Sequence, residues 1–484
     1  MNVLFAVWEN DPFFKIGGLG DVARSLPGAL KTINVDIRAM TPYYKVVKMG
    51  RNKKTKIGVC EFPYGGEKVK IEIWETTNPY TQVTAYFLKN KKYLDKVIPI
   101  GTFNHMDTWG VFNKAVVEIM KKNILNWKID IIHVNDWHCG LIPLLVKNEK
   151  LPIKIMLTIH NLFHQGKAPL NIIKKIGIDP KLCKTLQWEI KSRQVNFLLE
   201  AIVHADIITT VSPTYAKEFL TEEFGFGLDD ILRSREGQIY GILNGIDIDW
   251  RHTARSPGIR FPYGPSEKII NGKIEYYNWK EGKPLDKEFL QKKLGLKVGK
   301  DIPMFCFIGR FIEAQKGVDI LHRMLRRIDQ TKFQFVILGT GDKNWEERFE
   351  WFSTFYPKYI SCTFRFDDTL AHQIYAASDF ITIPSKYEPC GLIQMIAMLF
   401  GTIPIAHKTG GLKDSIKDGY NGFLFTSYSS EALEEKVMKA FDMWKNDKPA
   451  YVTMVQNALT TDFSWNKSAQ EYLSLYEKLL KPES

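Results

Sequence analysis

Short apolar runs alternate with stretches of helical periodicity along almost the whole chain, and this alternation restricts the fold more than any other feature. It predicts parallel strands joined by crossover helices, an α/β architecture. In the first half the expected strands are 3–8, 35–40, 130–134, 154–159 and 206–211. Each is a continuous run rich in Val, Ile and Leu, as expected of strands that helices cover on both faces. The pattern lapses over 250–283, a stretch rich in Pro, Gly, Arg and Tyr that reads as an interdomain connection. It restarts with expected strands at 304–308, 335–338, 362–366, 380–384 and 402–406 and expected helices at 318–327, 345–355, 370–377 and 392–400. Two late helices are expected at 431–444 and 468–480. A length of 484 residues suits two or three domains at roughly 150 residues each. Two αβα sandwiches with a cleft between them is the expected architecture.

Several function classes fall away on composition. Cys60, Cys139, Cys183, Cys306, Cys362 and Cys390 form no CxxC pair, so neither a disulfide framework nor a zinc ribbon is expected, and buried thiols in a reducing compartment are. The start MNVLFAVWEN has no basic n-region and no small-residue cleavage site, which points to the cytoplasm and not to secretion. The longest uncharged stretch, 391–406, is shorter than the roughly 20 residues of a membrane span. A formal net charge of +12 favours anionic partners in general. The densest basic cluster, 45–56, lacks the interleaved aromatics of a single-strand platform and reads as a solvated loop, so no nucleic-acid partner is expected.

Chemistry is expected at the carboxyl ends of the strands, which face the ligand crevice in doubly wound sheets. The first strand runs into Lys15-Ile16-Gly17-Gly18-Leu19-Gly20-Asp21. Such a strand–glycine loop–helix junction either cradles a phosphate or sugar, or is a tight turn required by helix–sheet packing. Asp136-Trp137-His138 ends the strand at 130–134; an indole that stacks on sugar faces beside two hydroxyl-binding groups suggests carbohydrate, and a structural Trp at the sheet rim is the alternative. His160 ends the next strand, with His164 close behind. The histidines His133, His138, His160 and His164 lack the spacing of a metal motif. In the second half Arg310 follows an apolar strand and Lys316 precedes a helix, an arrangement suited to a diphosphate, with ordinary surface cations as the alternative. Glu388 stands in Ser385-Lys386-Tyr387-Glu388-Pro389-Cys390-Gly391-Leu392, and Thr409-Gly410-Gly411-Leu412 supplies a further glycine turn.

Together these segments resemble the glycogen/starch synthase family of retaining glucosyltransferases. The carriers are KIGGLGD at 15–21, NDWHCGL at 135–141, TIHNLFHQG at 158–166, NGID at 244–247, GRFIEAQKGVD at 309–319, PSKYEPCGL at 384–392 and TGGL at 409–412. The resemblance implies a GT-B fold, two Rossmann-like domains facing across a cleft. The expected divisions are 1–248 on the acceptor side, 249–465 on the donor side and 466–484 as a helix packing back on the first domain. The implied activity is transfer of glucose from ADP-glucose or UDP-glucose to the non-reducing end of an α-1,4-glucan, with retention and with no metal or cofactor. The implied catalytic residues are His160, Arg310, Lys316 and Glu388. Donor contacts fall to Lys15, Gly17, Gly18, Asn244, Phe366, Cys390, Gly391, Leu392, Thr409 and Gly410, and the acceptor side to Asp136, Trp137 and His138. Front-face transfer, in which the leaving phosphate accepts the hydroxyl proton, accounts for the lack of a second carboxylate at glycosidase spacing.

Three departures from wider patterns stand out. Ile396 occupies the place of a second Glu common in other retaining GT-B enzymes, which favours a synthase. The spacing from Arg310 to Lys316 is one residue longer than in many bacterial synthases, a variant associated with archaeal-type members. Phe366 replaces a commoner Tyr, which leaves the donor base open. Asp229-Asp230 and Asp367-Asp368 read as ordinary polar pairs. A retaining transferase with a small acceptor is the competing enzyme reading, and a catalytically dead glucan-binding scaffold the competing non-enzyme reading. A homo-oligomer is left open.

Overall fold

A computed structural model describes residues 1–49, 53–96, 105–184, 193–247, 258–266, 268–270 and 273–481. The chain forms two compact units, Met1–Gly245 with Trp465–Ser484, and Ile246–Ser464.

The first unit is built on nine strands: β1 (Asn2–Ala6), β2 (Asp36–Pro42), β3 (Thr55–Tyr64), β4 (Glu67–Thr77), β5 (Thr84–Lys89), β6 (Ile131–Asn135), β7 (Lys154–Ile159), β8 (Ile207–Thr210) and β9 (Ile239–Gly241). Their order across the sheet is β9-β8-β7-β6-β1-β2-β5-β4-β3. Pairing is parallel from β9 to β5, and β5–β4 and β4–β3 are antiparallel. The purely parallel expectation is therefore corrected at this edge. Residues 65–66, both glycines with positive φ, turn β3 into β4, and a two-residue turn can connect only antiparallel neighbours. The central strands β1, β6 and β7 are buried almost throughout, which explains their unbroken apolar runs.

A directed chain of hydrogen bonds ties the final helix, Trp465–Leu480, to this sheet. Thr209 Oγ1 reaches the Leu157 carbonyl (3.3 Å) and Thr158 Oγ1 (2.6 Å), so it donates to the former and accepts from the latter. Thr158 then accepts from His133 Nε2 (2.6 Å), and His133 Nδ1 accepts from the Tyr476 hydroxyl (2.7 Å). Burial pushes the His133 pKa down to about 3, so the ring is neutral and this single tautomer suits it.

The second unit carries β10 (Met304–Ile308), β11 (Gln334–Leu338), β12 (Ile360–Thr363), β13 (Phe380–Ile383), β14 (Ile403–His407) and β15 (Phe423–Phe425). Their order is β12-β11-β10-β13-β14-β15, parallel throughout. The stretch 250–283 is not wholly a connection. Residues 250–257 lie outside the described residues, but a helix already runs over Trp279–Leu294. Its apolar period fails because Lys283, Asp286 and Lys287 occupy the buried face. Lys287 pairs with Asp379 at 2.7 Å. Lys283 donates to the Ala376 carbonyl (3.1 Å), the Phe400 carbonyl (3.0 Å) and Thr402 Oγ1 (2.8 Å), capping two helix ends; burial pulls its pKa down to about 7.

Candidate active site

At the strand ends of the first unit, the glycine loop is held by a residue that the sequence reading missed. Glu9, buried just past β1, accepts from the backbone N–H of Ile16 (2.5 Å) and of Gly17 (2.9 Å). Desolvation pushes its pKa up to about 7 against those two hydrogen bonds. A carboxylate directly after a buried strand was the available signal. Lys15 pairs with Asp21 at 2.7 Å, and the helix Gly18–Thr32 starts inside the glycine run, earlier than residue 22.

Asp136 has a positive φ of 55° where β6 ends and the turn Trp137–Cys139 begins, its Oδ1 accepting from the His160 N–H at 2.7 Å. Its pKa is also pushed up to about 7, again by desolvation. Asn135 fixes the chemistry of His160. The Asn135 amide nitrogen donates to the Ala6 carbonyl (3.1 Å), which turns its oxygen to His160 Nε2 (3.0 Å). Nε2 must then carry the proton, and Nδ1 is left as an acceptor suited to a hydroxyl. Burial pulls the His160 pKa down to about 3, so the ring stays neutral in this role.

Trp137 and His138 are placed differently from Asp136, which is half-buried. They are only 7% and 5% exposed. The His138 ring lies between Trp8 (centroids 4.5 Å) and Trp137 (3.9 Å), with Trp109 edge-on at 4.7 Å. Neither ring presents a face to solvent; the stack supports the turn. Gly166 must be glycine there, because its φ is +67° and a Cβ would lie 2.2 Å from the Trp137 ring. Asn244 is buried, and its side-chain oxygen has no partner among the described residues.

In the second unit three separate loops converge. Lys316 donates to Glu388 Oε2 at 2.6 Å, and Ser385 Oγ donates to the same oxygen at 2.9 Å. The pair is largely buried, with side chains 14% and 11% exposed. Two close approaches lock it. Gly317, at φ +66°, has the Pro384 carbonyl where a Cβ would stand (1.9 Å), and Gly411 has the Cys390 carbonyl 2.0 Å from its own. The Gly411 N–H also donates to the Glu388 carbonyl at 3.0 Å. Gln394 donates to the carbonyls of Cys390 (3.1 Å) and Gly391 (2.7 Å), fixing the turn that leads through Leu392 into the helix Ile393–Leu399. Thr409 and Gly410 open the next helix, Gly410–Ser415. Arg310 is exposed just after β10 and has no carboxylate partner among the described residues. Phe366 is 88% exposed beyond β12, with an open ring face. Asp229 and Asp230 both pair with Arg233, and Asp367 caps the helix Asp368–Ala377, which are ordinary polar duties. Ser385 and Gln394 were not singled out from sequence, although both lie within or beside the quoted motif.

The first unit thus offers a neutral imidazole acceptor and a glycine loop, and the second a buried carboxylate–ammonium pair, an open guanidinium and an open aromatic. Comparison with known proteins fits this equipment. Residues 2–234 match the family model described as starch synthase catalytic domain, and residues 286–458 match glycosyl transferases group 1. The glycogen synthases of Pseudothermotoga lettingae and Thermosipho melanesiensis are 38% and 39% identical, each aligned over 99% of both chains. The catalytic domain of starch synthase IV from Arabidopsis thaliana, bound to ADP and acarbose, superposes with a TM-score of 0.87 at 31% identity, covering 99% of both chains. Sucrose-phosphate synthase from Thermosynechococcus elongatus shares the fold (TM-score 0.61, 18% identity, 99% and 98% covered). With 38% identity to a glycogen synthase along its full length, the chain belongs to the glycogen/starch synthase family of GT-B glycosyltransferases.

Proposed function

We propose that the chain lengthens an α-1,4-glucan at its non-reducing end with glucose from ADP-glucose or UDP-glucose, retaining configuration and using no metal. The observation that carries the reading is the Lys316–Glu388–Ser385 cluster, with Arg310 six residues before Lys316 and without a carboxylate partner among the described residues. Glu388 accepts hydroxyls of the donor glucose, while Arg310 and Lys316 hold the diphosphate and stabilise the charge it gains on leaving. Lys316 then exchanges its Glu388 partner for phosphate oxygens. Backbone N–H groups of Cys390, Gly391 and Leu392, with the turn at Thr409 and Gly410, complete the donor cradle, and Phe366 stacks on the base. His160 accepts from a donor hydroxyl through Nδ1, and Lys15 with Gly17 and Gly18 lies at the reacting centre. Asn244 adds a donor contact through its unpaired oxygen. Asp136 serves the acceptor, with Trp137 and His138 behind it. The leaving phosphate takes the proton of the incoming hydroxyl, so no second carboxylate is required. Two fixed cations supply the charge a metal would otherwise bring.

The complex of the Arabidopsis relative with ADP and acarbose supports an adenosine donor. The free thiols, five of them buried, support a reducing cytoplasmic setting. A homo-oligomer is compatible with the chemistry but not needed for it. The test is incorporation of labelled glucose into glycogen primer from ADP-glucose and UDP-glucose, with and without EDTA. Primer-dependent incorporation that survives EDTA, faster with ADP-glucose, is expected. Donor turnover without polymer growth would instead indicate a small acceptor.

A further inference from the structure

The first unit holds a second recess, at the opposite ends of its strands from His160 and the glycine loop. It is a groove of about 1000 Å³ where Lys154 opens β7 and Asp206 and Ile207 open β8. Ligands of doubly wound sheets bind at the carboxyl ends of strands, so this groove is not the crevice of the fold. Its lining is strongly basic. Lys147, Lys154, Arg235, Lys478 and Lys481 surround it, and Asp206 is the only carboxylate among the described lining residues.

The hydrogen bonding of three of these cations, Lys147, Arg235 and Lys478, shows what they meet. Asp206 meets Lys147 at 2.7 Å and also accepts from the Ile155 N–H at 2.7 Å, so its capacity is already shared. Arg235 donates to the carbonyls of Val203 (2.9 Å) and Ala205 (2.6 Å), at the end of the helix Phe197–His204. Its hydrogen bonds go to neutral oxygens, and the Asp206 charge acts on it from nearby. Lys478 donates to the Tyr240 hydroxyl at 2.5 Å, a neutral partner, and its ammonium lies 5.1 Å from the Tyr240 ring centroid. Lys147, Lys478 and Lys481 are exposed, so a ligand can reach their side chains and share Lys147 with Asp206 and Lys478 with Tyr240.

A groove lined by five cations and, among the described residues, one carboxylate carries a positive potential that attracts anions, and compact lysine ammoniums suit phosphoryl oxygens. Tyr240 adds an aromatic surface and a hydroxyl, the combination that receives a sugar ring. The groove is of small-ligand size and too confined for a duplex. We propose that this groove binds a sugar phosphate, with the phosphoryl group on Lys147, Lys478 and Lys481 and the sugar ring against Tyr240. The site is independent of the donor-binding residues in the second unit.

The test is calorimetric titration of the full chain with ribose 5-phosphate, inorganic phosphate and ribose as separate probes. Wild type is expected to bind ribose 5-phosphate with a Kd of about 1 mM or tighter. Inorganic phosphate should bind more weakly and ribose not measurably. The double variant Lys478→Gln/Lys481→Gln should weaken ribose 5-phosphate at least about tenfold while keeping the wild-type melting temperature and glucosyl transfer rate. Arg310→Ala should bind it as wild type does. Rising salt should weaken binding, as these lysines are open to solvent. No binding by wild type up to about 10 mM, or equal affinity in the double variant, overturns the site. Loss of binding in Arg310→Ala moves the ligand to the donor residues and equally overturns it. Inorganic phosphate binding as tightly as ribose 5-phosphate removes the sugar from the proposal.

Discussion

Replacing Glu388 separates two duties that its carboxylate performs at once. In Glu388→Ala, Lys316 and Ser385 lose the oxygen they share, and an ammonium only 14% exposed is left without a counter-charge. Breaking a fully buried pair costs about 3–5 kcal/mol. Residual exposure lowers that to about 2–3 kcal/mol, a fall of roughly 4–12 °C in the melting temperature for a unit of this size. The catalytic loss is a separate quantity. A group that binds the reacting sugar more tightly in the transition state contributes about 3–4 kcal/mol, so kcat should fall roughly 10²–10³-fold. Glu388→Gln divides the two effects, because its amide oxygen still accepts from Lys316 while the negative charge is gone. The glutamine variant should recover part of the melting temperature, through the hydrogen bond it keeps to Lys316, and little of the rate. The assay pairs thermal unfolding by circular dichroism with initial rates of glucose incorporation into glycogen. Near-wild-type turnover in Glu388→Ala would refute the site, and a glutamine variant within about threefold of wild type would reduce Glu388 to a holder of Lys316.

Other expectations rest on single contacts. Gly317→Ala places a Cβ 1.9 Å from the Pro384 carbonyl at a φ of +66°. It should cost about 3 kcal/mol or more, read as a melting temperature lower by roughly 6–12 °C; an unchanged melt would contradict the close approach. Asp379→Ala leaves the buried Lys287 unpaired and removes the acceptor of the Met304 N–H and the Tyr451 hydroxyl, so a loss of about 3–5 kcal/mol is expected in thermal unfolding. Glu9 tests pH dependence. With its pKa raised from 4.5 to about 7, the folded chain keeps a proton that the unfolded chain releases, so its contribution falls by about 3 kcal/mol as pH rises from 4.5 to 7. Glu9→Gln should flatten the curve of melting temperature against pH over that window, and an identical slope in both proteins would count against the assignment.

Much of the fold could be read from the sequence because its central strands are parallel and buried on both faces, so that runs such as 154–159 and 304–308 appear in sequence as they lie in space. The antiparallel edge escaped for the opposite reason. In 67–77 apolar and polar residues alternate as in a half-exposed strand, a different period from the one that identified the others. The helix Trp279–Leu294 escaped because its buried face is charged, and Lys283 and Lys287 find partners only from distant segments. The site divides in the same way. Glu388, Arg310, Lys316 and His160 stood out through their motifs, whereas the Asn135 amide that sets the His160 tautomer depends on its contact with Ala6 in a neighbouring strand. Trp137 and His138 suggested a sugar platform by residue type, but Trp8 and Trp109, which turn them into a packed stack, lie far away in the chain.

The most direct test of the account is a crystal structure of the chain soaked with ADP. The account predicts diphosphate oxygens within about 3 Å of the Arg310 guanidinium and the Lys316 ammonium, with the base on Phe366. ADP bound elsewhere, with Lys316 still on Glu388 and Arg310 empty, would contradict it.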